Sequence, residues 1–591
     1  MTRVPLRPLA RVLDARAQGR NPLYIERENL RLRHEQMRDV ARRRAEWRLL
    51  FLAALFFMGY ALIAARMGLL AMTPPEEPAR YQPEEIAAYR ADIVDRNGRL
   101  MATNLITNAL YAEMRHMVDG NRAARELARI FPDMDEPRLA ARLTDPNRRF
   151  VWLRARLSPE QQQAVHDIGE PGLLFGRREM RLYPNGRLAA HVLGGAGYGQ
   201  QGVTAAEIIG TAGLEHRLDE RLRDAAQADT PVQLSLDLSV QAVAGEVLEG
   251  GIRMLNARAG SAIIMDAYTG EVISMVSLPD FDPNNRPPPP TEGDPTDSPI
   301  FNHALQGVYE LGSIMKAFPV AQALELGLVR PETMVDTRGP MRVSRFTIND
   351  FRNYGPELSV TDVFVRSSNI GTARLAQMIG PERQREFLDR FGFLDIASIE
   401  LTENTRARPM FPERWREISS MTIAYGHGLS TSPVHVAAAY AALVNGGRKV
   451  TPTLLRSPDA MPGERLISER TSTVMRQMMR ETVTRGTASM AEVEGFAVGG
   501  KTGTADKPNP RGGYYRDRVI ASFAGAFPIH EPRYVIVVTL DEPSETSGSE
   551  VRRTAGWTVV PVTAEIVRRT APLLGLRPSS LAEIERGLAL R

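Results

Sequence analysis

Two of the few lysines in this chain stand beside residues with which they could do chemistry. The chain has four lysines against seventy arginines. One lysine closes a Ser-x-x-Lys sequence, Ser313 to Lys316, and another opens a Lys-Thr-Gly-Thr sequence, Lys501 to Thr504. A guanidinium stays charged at any working pH, whereas a desolvated lysine can lose its proton and act as a base. Both lysines are therefore candidates for a reactive site.

The Ser-x-x-Lys sequence fits a nucleophile and its base. Ser313 follows a glycine and precedes an apolar stretch, 314–328, that predicts a helix. If Ser313 opens this helix, Lys316 lies one turn further on the same face. A helix N-terminus favours a developing oxyanion, and a neutral lysine amine can take the serine proton. Pro319 is predicted to loosen the second turn of the helix.

Two further motifs strengthen this interpretation. Ser367, Ser368 and Asn369 follow a stretch with the capping pattern Ser359-x-x-Asp362, so they place hydroxyls and an amide on a short connection. Residues 498–504 predict a strand with little side-chain bulk, which a substrate backbone can approach closely. Each motif alone also fits a polar turn or an edge strand. Their occurrence in one chain, with separations of 54 and 134 residues, is hard to assign to chance.

Composition argues against several kinds of partner. The net charge is only +4 and there is no cysteine, so neither nucleic-acid binding nor thiolate metal sites are indicated. The histidines show no metal-ligand spacing, and we interpret His427 and His435 as structural. Residues 197–202 match the dinucleotide-binding fingerprint but lack the required strand and helix, which favours a glycine-rich loop. We expect no metal and no cofactor.

One segment predicts a membrane anchor over residues 49–72. The stretch 49–65 carries no charge, and apolar character resumes after Arg66. This length is near the lower limit for a spanning helix, and a buried core helix or a signal peptide would also be apolar. A signal peptide is shorter and lies nearer the N-terminus. Thirteen arginines against six acids occur in residues 1–48, which predicts a cytoplasmic tail and an exported remainder.

The exported part divides into two regions and a tail. Residues 73–230 are polar and helix-rich, open with a hairpin at 95–98, and predict a spacer or interaction domain. Residues 231–575 have strands at both ends and helices between them, and residues 576–591 form a C-terminal tail. This order predicts a multi-domain α+β protein in which helices flank an antiparallel sheet. The predicted strands are 232–236, 261–265, 271–276, 519–527 and 534–540.

With these motifs the chain resembles the class B penicillin-binding proteins over roughly residues 80 to 570. The resemblance extends to three motifs of that family's pedestal domain and to the start of its transpeptidase domain. These further matching segments are Arg90 to Gly98, Arg181 to Pro184 with His191 to Gly194, Gly213 to Glu215, Asp266 to Glu271, and Pro279 to Asn284. The resemblance implies the family's penicillin-binding transpeptidase fold above an N-terminal pedestal and one transmembrane helix.

The resemblance also implies a reaction. Ser313 would attack the penultimate D-alanine carbonyl of a peptidoglycan stem peptide, and Lys316 would accept its proton. The oxyanion would lie between the backbone N–H groups of Ser313 and Thr504. Ser367 would relay a proton to the departing D-alanine, and Asn369 would bind the substrate amide. An amine from a neighbouring stem would then release the acyl group as a cross-link.

The Lys-Thr-Gly-Thr motif is the implied binding strand for the substrate carboxylate. By the resemblance, Lys501 attracts this carboxylate, Thr502 and Thr504 hydrogen-bond it, and Gly503 completes the strand. β-Lactams would acylate the same serine. The single-span architecture further resembles proteins that work beside a polytopic glycosyltransferase and other membrane proteins of cell division.

The residues before the nucleophile indicate the subtype. Tyr309 and Glu310 resemble the division-specific, septal member, whereas Leu311 and Ile314 depart from its pattern. An elongation-specific transpeptidase, which typically has a proline pair before the glycine, would use the same chemistry. A β-lactamase would use the same nucleophile, and a non-catalytic β-lactam sensor or scaffold belongs to a different class of protein.

Overall fold

The computed structural model describes residues 7–72, 90–201, 206–227, 229–343, 346–461 and 463–589. They belong to two compact units, one within residues 1–85 and one within residues 86–591. The first unit contains helices α1 (Arg7–Ala17) and α2 (Leu23–Met72). Within α2, the 25 residues Ala45–Leu69 are long and apolar enough to cross a membrane and are not buried. The predicted anchor is thus one part of a longer helix.

The first region of the second unit contains a mixed sheet and short helices. Asp95 closes the predicted hairpin, because its Oδ1 accepts hydrogen bonds from the backbone nitrogens of Asn97 and Arg99 at 2.9 and 2.8 Å. The elements are β1 (Ile93–Val94), β2 (Leu100–Glu113), α3 (Gly120–Ile130), α4 (Glu136–Leu143), β3 (Phe150–Leu157), α5 (Pro159–Asp167), β4 (Leu173–Leu182), α6 (Ala190–Leu193), β5 (Gly195–Gln201), β6 (Ala206–Ala212), α7 (Gly213–Arg217), α8 (Asp219–Leu222) and β7 (Val232–Gln233). Strands β3, β2, β1 and β7 are neighbours in this order, and β4 also pairs with β2.

The glycine-rich segment 197–202 is not the loop that the sequence predicts. Its described residues lie in β5, which pairs antiparallel with β6, for example Tyr198 with Ile208. The partner strand supplies the backbone hydrogen bonds, and this long-range pairing cannot be read from local composition. Because β5 leads to a second strand, the segment lacks the strand-to-helix turn of a dinucleotide site.

The second region has the predicted α+β architecture. Its strands β8 (Ala259–Asp266), β9 (Val272–Leu278), β14 (Gly499–Pro508), β15 (Tyr514–Phe527) and β16 (Tyr534–Asp541) form an antiparallel sheet in the order β14-β15-β16-β8-β9. The short strands are β10 (Met334–Asp336), β11 (Met341–Val343), β12 (Phe346–Ile348) and β13 (Glu357–Ser359). The helices are α9 (Leu238–Met254), α10 (Ala317–Glu325), α11 (Val360–Val365), α12 (Asn369–Ile379), α13 (Pro381–Arg390), α14 (Glu417–Ala424), α15 (Pro433–Val444), α16 (Glu469–Arg485), α17 (Val559–Thr570) and α18 (Leu581–Leu588). The 3-10 helices of both regions are Met114–His116, Ala225–Gln227, Pro283–Asn285, Pro295–Asp297, Gly312–Lys316, Thr402–Arg406 and Ser489–Ala491.

Both faces of this sheet are apolar and buried. Ile263 and Val537, which are paired across β8 and β16, belong to the core that includes α15. Their neighbours Ile264 and Ile536 belong to the opposite core, which includes α9 and α17. Successive side chains of a strand point to opposite faces, so burial on both sides requires the continuous apolar runs seen in the sequence.

The C-terminal segment packs on the second region instead of trailing from it. Helix α18 follows the capping residue Ser580, whose Oγ accepts from the backbone nitrogen of Glu583. The amide of Gln477 on α16 donates a hydrogen bond to the carbonyl of Leu588 at 2.6 Å. The sequence predicts a tail here because eight residues of helix cannot by themselves reveal the surface against which they pack.

Candidate active site

Ser313 and Lys316 lie together at the turn that begins α10. Residues 312–316 form a 3-10 helix, and the α-helix starts only at Ala317 and ends at Glu325, before the predicted end. Lys316 Nζ lies 2.8 Å from Ser313 Oγ. Pro319 does not disturb the helix, because it lies in the first turn, where backbone N–H groups have no intrahelical partner.

The side chain of Lys316 is fully buried and surrounded by oxygen atoms. Its Nζ lies 2.8 Å from the carbonyl oxygen of Ser367, 3.0 Å from Ser367 Oγ and 2.7 Å from Asn369 Oδ1. Burial lowers the pKa of Lys316 well below its usual value, and the charge of Lys501 acts in the same direction, while Asp350 opposes it. A neutral amine has a lone pair, so Lys316 can accept the Ser313 proton.

The Ser-Ser-Asn motif lies at the start of α12. Ser367 has a left-handed backbone, with φ of 65°, and Ser368 caps the helix by accepting from the backbone nitrogen of Gly371. Asp350 supports the same turn, because its carboxylate accepts from Ser368 Oγ at 2.7 Å and from the backbone nitrogen of Asn369 at 2.5 Å. Sequence reasoning missed Asp350, which lies in no recognisable motif.

The Lys-Thr-Gly-Thr motif lies on a strand, β14, as predicted, and this strand is at the edge of the sheet. Close backbone contacts hold this strand against the nucleophile turn. A Cβ on Gly503 would lie 2.2 Å from the carbonyl oxygen of Leu311, and one on Gly312 would lie 2.5 Å from that of Thr504. Only glycine permits this approach, and Gly312 also has a φ of 59°. The contacts place the edge strand beside Ser313.

The Lys501 side chain is buried beneath the motif. Burial lowers the pKa of Lys501 to about 7. Its Nζ lies 3.3 Å from the carbonyl oxygen of Thr502 and 5.8 Å from the centre of the Phe364 ring. Hydroxyl contacts fix the two threonines: Thr502 Oγ1 lies 2.7 Å from Thr487 Oγ1, and Thr504 Oγ1 accepts from the backbone nitrogen of Ala555 at 3.0 Å.

An open cleft of about 390 Å³ connects the three motifs. Five of the eight predicted site residues line it, whereas Lys316, Lys501 and Gly503 are buried behind them. The cleft is lined by Ser313, Phe351, Arg352, Tyr354, Arg366, Ser367, Asn369, Tyr425, His427, Thr487, Thr502, Thr504, Thr554, Ala555, Gly556 and Trp557. Among the described residues, no group of three or more acidic or histidine side chains is arranged to hold a metal ion.

The two histidines that we interpreted as structural have different surroundings. His435 is buried, with Nδ1 2.7 Å from the capping Ser432 Oγ and Nε2 2.9 Å from the carbonyl oxygen of Asp395. His427 instead lines the cleft. Its side chain contacts Glu310 through Nδ1, at 3.2 Å from Oε2. The local sequence carries no signal that distinguishes the two.

The three pedestal motifs meet in a buried ion cluster. The Glu215 carboxylate accepts from Arg90 Nε at 2.6 Å and from Arg181 Nε at 2.7 Å. Arg90 also binds Asp219 at 2.6 Å. The side chains of Arg90 and Glu215 are fully buried, and that of Arg181 nearly so. The motifs thus hold the pedestal together, and none of their residues lines the cleft.

A further motif joins the pedestal to the second region. The Asn284 side chain mimics a backbone partner, because Oδ1 accepts from the Tyr183 nitrogen at 3.0 Å and Nδ2 donates to the Tyr183 carbonyl at 2.9 Å. His191 Nε2 lies 3.1 Å from the carbonyl oxygen of Pro279. The matching segments 181–184, 191–194 and 279–284 therefore form one junction.

The family model of the penicillin-binding protein transpeptidase domain matches residues 260–559, and that of the penicillin-binding protein dimerisation domain matches residues 85–229. The three motifs, the edge strand and the cleft all fall within the first match. The chain belongs to the penicillin-binding protein family, in its class B form. The resemblance stated from the sequence is confirmed, and so is the predicted fold class.

Relatives of known name cover most of the chain. A Caulobacter vibrioides protein named probable peptidoglycan D,D-transpeptidase FtsI is 33% identical over 562 residues, 93% of this chain and 92% of the relative. The Escherichia coli K12 peptidoglycan D,D-transpeptidase FtsI is 27% identical over 525 residues, 84% of this chain and 87% of the relative. The crystal structure of penicillin-binding protein 3 from Mycobacterium tuberculosis, complexed with aztreonam, matches with a TM-score of 0.62 and 26% identity, over 83% of this chain and 97% of that chain.

Proposed function

We propose that this protein cross-links peptidoglycan stem peptides at the division septum as a serine D,D-transpeptidase. The observation that carries the proposal is the buried amine of Lys316, 2.8 Å from Ser313 Oγ, at the base of an open cleft. Desolvation lowers the pKa of this amine and so favours its neutral form, which can activate the serine.

Acylation uses the first two motifs. Ser313 attacks the penultimate D-alanine carbonyl while Lys316 takes the Oγ proton. Ser367 Oγ, 3.0 Å from Lys316 Nζ, passes that proton to the departing D-alanine nitrogen. Asn369 binds the substrate amide through its side chain, whose Nδ2 also donates to the carbonyl of Asn349 at 2.9 Å. The backbone N–H groups of Ser313 and Thr504 stabilise the oxyanion.

The edge strand binds the donor peptide. An extended peptide can add to the open side of β14 as a further strand. Lys501 attracts the terminal carboxylate, Thr502 and Thr504 donate hydroxyl hydrogen bonds to it, and Gly503 keeps the strand close to the nucleophile. A β-lactam mimics this substrate and acylates Ser313. The mycobacterial relative was crystallised with aztreonam, which supports this part of the proposal.

The anchor places this chemistry outside the cytoplasm. Thirteen arginines and six acids precede the apolar part of α2, so residues 1–48 stay in the cytoplasm and the cleft faces the periplasm. We keep residues 49–72 as the inner-membrane span, 73–230 as the pedestal, 231–575 as the transpeptidase domain and 576–591 as the C-terminal segment, which packs on that domain through its described residues up to 589. A polytopic glycosyltransferase and other division proteins are the proposed membrane partners.

Fluorescent penicillin labelling tests catalysis directly. We expect the wild-type protein to be labelled and Ser313→Ala to be unlabelled. A wild-type protein that stays unlabelled would identify a scaffold. Rapid loss of the label by hydrolysis would identify a β-lactamase, and stable labelling without any cross-linking of stem peptides would identify a sensor.

Depletion in cells tests the septal assignment, which the FtsI relatives and the Tyr309-Glu310 pair support. Cells that lose the protein are expected to grow as filaments, because side-wall synthesis continues while the septum fails. Round cells would instead identify the elongation-specific transpeptidase.

A further inference from the structure

The segment that follows α14 holds His427 in the cleft that also contains Ser313. Gly426 has a φ of 100°, and a Cβ there would lie 1.9 Å from the carbonyl oxygen of Gly312. The same segment pairs with the residues before the nucleophile, since Tyr309 and Thr431 exchange backbone hydrogen bonds of 3.0 and 2.9 Å. The backbone of this segment therefore touches the residue next to Ser313, and His427 lines the same cleft.

Glu310 fixes the imidazole of His427. The carboxylate Oε2 lies 3.2 Å from His427 Nδ1, while the other oxygen accepts from the backbone nitrogen of Gly428 at 2.7 Å, and Tyr514 donates its hydroxyl at 3.0 Å. Burial would raise the pKa of Glu310, but the hydrogen bonds from His427 and Gly428 outweigh it and lower that pKa. The group is therefore a carboxylate at neutral pH.

This contact determines which nitrogen of His427 can accept a proton. A carboxylate only accepts hydrogen bonds, so Nδ1 carries the hydrogen and Nε2 keeps its lone pair. In the part of the chain that the structure describes, no protein group hydrogen-bonds Nε2. The Glu310 side chain is 8% exposed, whereas that of His427 is 31% exposed. A buried anion behind a partly exposed imidazole is the arrangement of a general base and the group that orients it.

Two aromatic rings and a further acid also lie near the imidazole. The rings of Tyr425 and Tyr514 meet it edge-on, with centroids 5.6 and 5.7 Å away. Asp506 on β14 is close enough for the charge of His427 to act on its pKa, which burial raises overall. Glu310 is the only charged group that binds the imidazole directly among the described residues.

We propose that His427, oriented by Glu310, is the base that deprotonates the acceptor amine in the second half of the reaction. This proposal rests on the proposed transpeptidase function and adds a residue to it. An amine at neutral pH arrives as an ammonium ion, which cannot attack a carbonyl. Lys316 is enclosed behind Ser313 and can account for only one of the protons that the acceptor must lose.

The acceptor nitrogen loses two protons, and each has a destination. His427 Nε2 takes one proton from the bound ammonium and later releases it to water through the exposed edge of the ring. The free amine attacks the acyl-enzyme carbonyl, forming the new C–N bond. Lys316 takes a second proton from that nitrogen and passes it to Ser313 Oγ as the C–O bond breaks. The products are the amide cross-link, the free serine and a neutral Lys316.

The partition of the acyl-enzyme between amine and water tests this assignment. The full-length protein is acylated with a thioester analogue of the stem peptide, and D-alanine is the acceptor. In His427→Phe we expect aminolysis to fall at least about 30-fold more than acylation by the thioester, because a general base contributes roughly 10²-fold or more. Glu310→Gln is expected to show the same imbalance to a smaller extent. His216→Phe, an exposed pedestal position, serves as the control and should change neither step.

The pH dependence separates a base from a structural residue. A base that takes a proton from the bound ammonium makes aminolysis by the wild-type protein nearly independent of pH from neutral pH up to the pKa of the amine. Without the base, aminolysis follows the free amine and rises about tenfold per pH unit. A wild-type rate that rises in this way, or equal losses of acylation and aminolysis in His427→Phe, would overturn the proposal. Absence of acylation in the wild-type protein would instead reject the proposed function itself.

Discussion

The carboxylate of Asp350 lies 2.5 Å from the backbone nitrogen of Asn369 and 2.7 Å from Ser368 Oγ. These contacts fix the beginning of α12, where Ser367 has its left-handed backbone. The same turn presents two oxygen atoms of Ser367 and one of Asn369 to the amine of Lys316. Asp350, which lies outside the three motifs, therefore fixes the turn from which Ser367 and Asn369 contact Lys316.

Replacement of Asp350 is expected to impair acylation more than stability. Asp350→Ala removes the acceptor for two backbone nitrogens and a hydroxyl, so the Ser367 turn loses its support. We expect the rate of acylation by a β-lactam to fall roughly 10- to 100-fold, in the range seen when groups that orient catalytic ligands are removed. Asp389→Ala, at an exposed position of α13, is the matched control. Equal rates for the two variants would contradict the role of Asp350.

The two buried lysines are expected to respond differently to arginine. Lys316→Arg replaces a tunable amine by a permanently charged guanidinium, so acylation should fall about 10²- to 10⁴-fold, as for loss of a general base. Lys501→Arg keeps the charge that attracts a carboxylate and should retain part of the activity. Stopped-flow acylation of both variants gives the comparison. Similar losses at the two positions would show that Lys316 does not act as the base.

The rate of acylation is expected to decline at alkaline pH because Lys501 loses its proton. The pKa of this lysine is about 7, so its charge is present below that pH and is lost as the pH rises through it. The second-order rate constant for a β-lactam, whose carboxylate needs this charge, should therefore decline above about pH 7. In Lys501→Arg the decline should disappear, because a guanidinium stays charged. An unchanged alkaline limb in this variant would assign it to another group.

We predict that both stability and acylation require glycine at position 312, for two separate reasons. Its φ is 59°, and a Cβ would lie 2.5 Å from the carbonyl oxygen of Thr504 on the edge strand. Gly327 has a similar φ of 65° but nothing within 4 Å. Gly327→Ala should therefore lower the free energy of unfolding by only about 1–2 kcal/mol, the cost of placing alanine in the left-handed conformation.

Gly312→Ala adds the collision to that cost and pushes β14 away from Ser313. We expect a larger loss of stability than in Gly327→Ala and a loss of acylation that Gly327→Ala does not show. Denaturant unfolding and penicillin labelling of the two variants measure the difference. Equal losses of stability and of acylation in the two variants would mean that the close contact between β14 and residue 312 is not important.

The buried ion cluster of Arg90, Arg181 and Glu215 is expected to stabilise the pedestal. Glu215→Gln removes the anion between two buried guanidinium groups, those of Arg90 and Arg181. Leaving buried charges unpaired costs about 3–5 kcal/mol, so the thermal midpoint should fall. Glu220→Gln, at an exposed position close by, should leave it unchanged. A midpoint that Glu215→Gln does not shift would show that the cluster does not stabilise the pedestal.

Local patterns in the sequence predict the parts of the fold that depend on local chemistry. Ser432 before Pro433 predicts the start of α15, and Ser359 caps α11 as its spacing with Asp362 indicates. The apolar runs predict the central strands because both faces of the sheet are buried. The three site motifs stand out because each combines reactive side chains within four residues.

Long-range contacts limit what the sequence predicts. Residues 195–201 form a strand because they pair with β6, which is a separate segment of the chain. Helix α18 likewise packs against α16, to which its last residue is hydrogen-bonded. Asp350 enters the site only because distant segments meet there, so it has no sequence signal. Glu310 has a signal for the subtype, but its contact with His427 comes from the fold. His427 and His435 look alike in the sequence, and only the fold separates a residue of the cleft from a helix cap.

The most direct test of Ser313 as the nucleophile is the intact mass of the protein after exposure to a β-lactam, with peptide mapping of the adduct. We predict one covalent adduct per chain, located on Ser313, and none in Ser313→Ala. We also predict slow formation of the same adduct in Lys316→Arg. An adduct on any other residue, or an adduct that persists in Ser313→Ala, would contradict the assignment of Ser313 as the nucleophile.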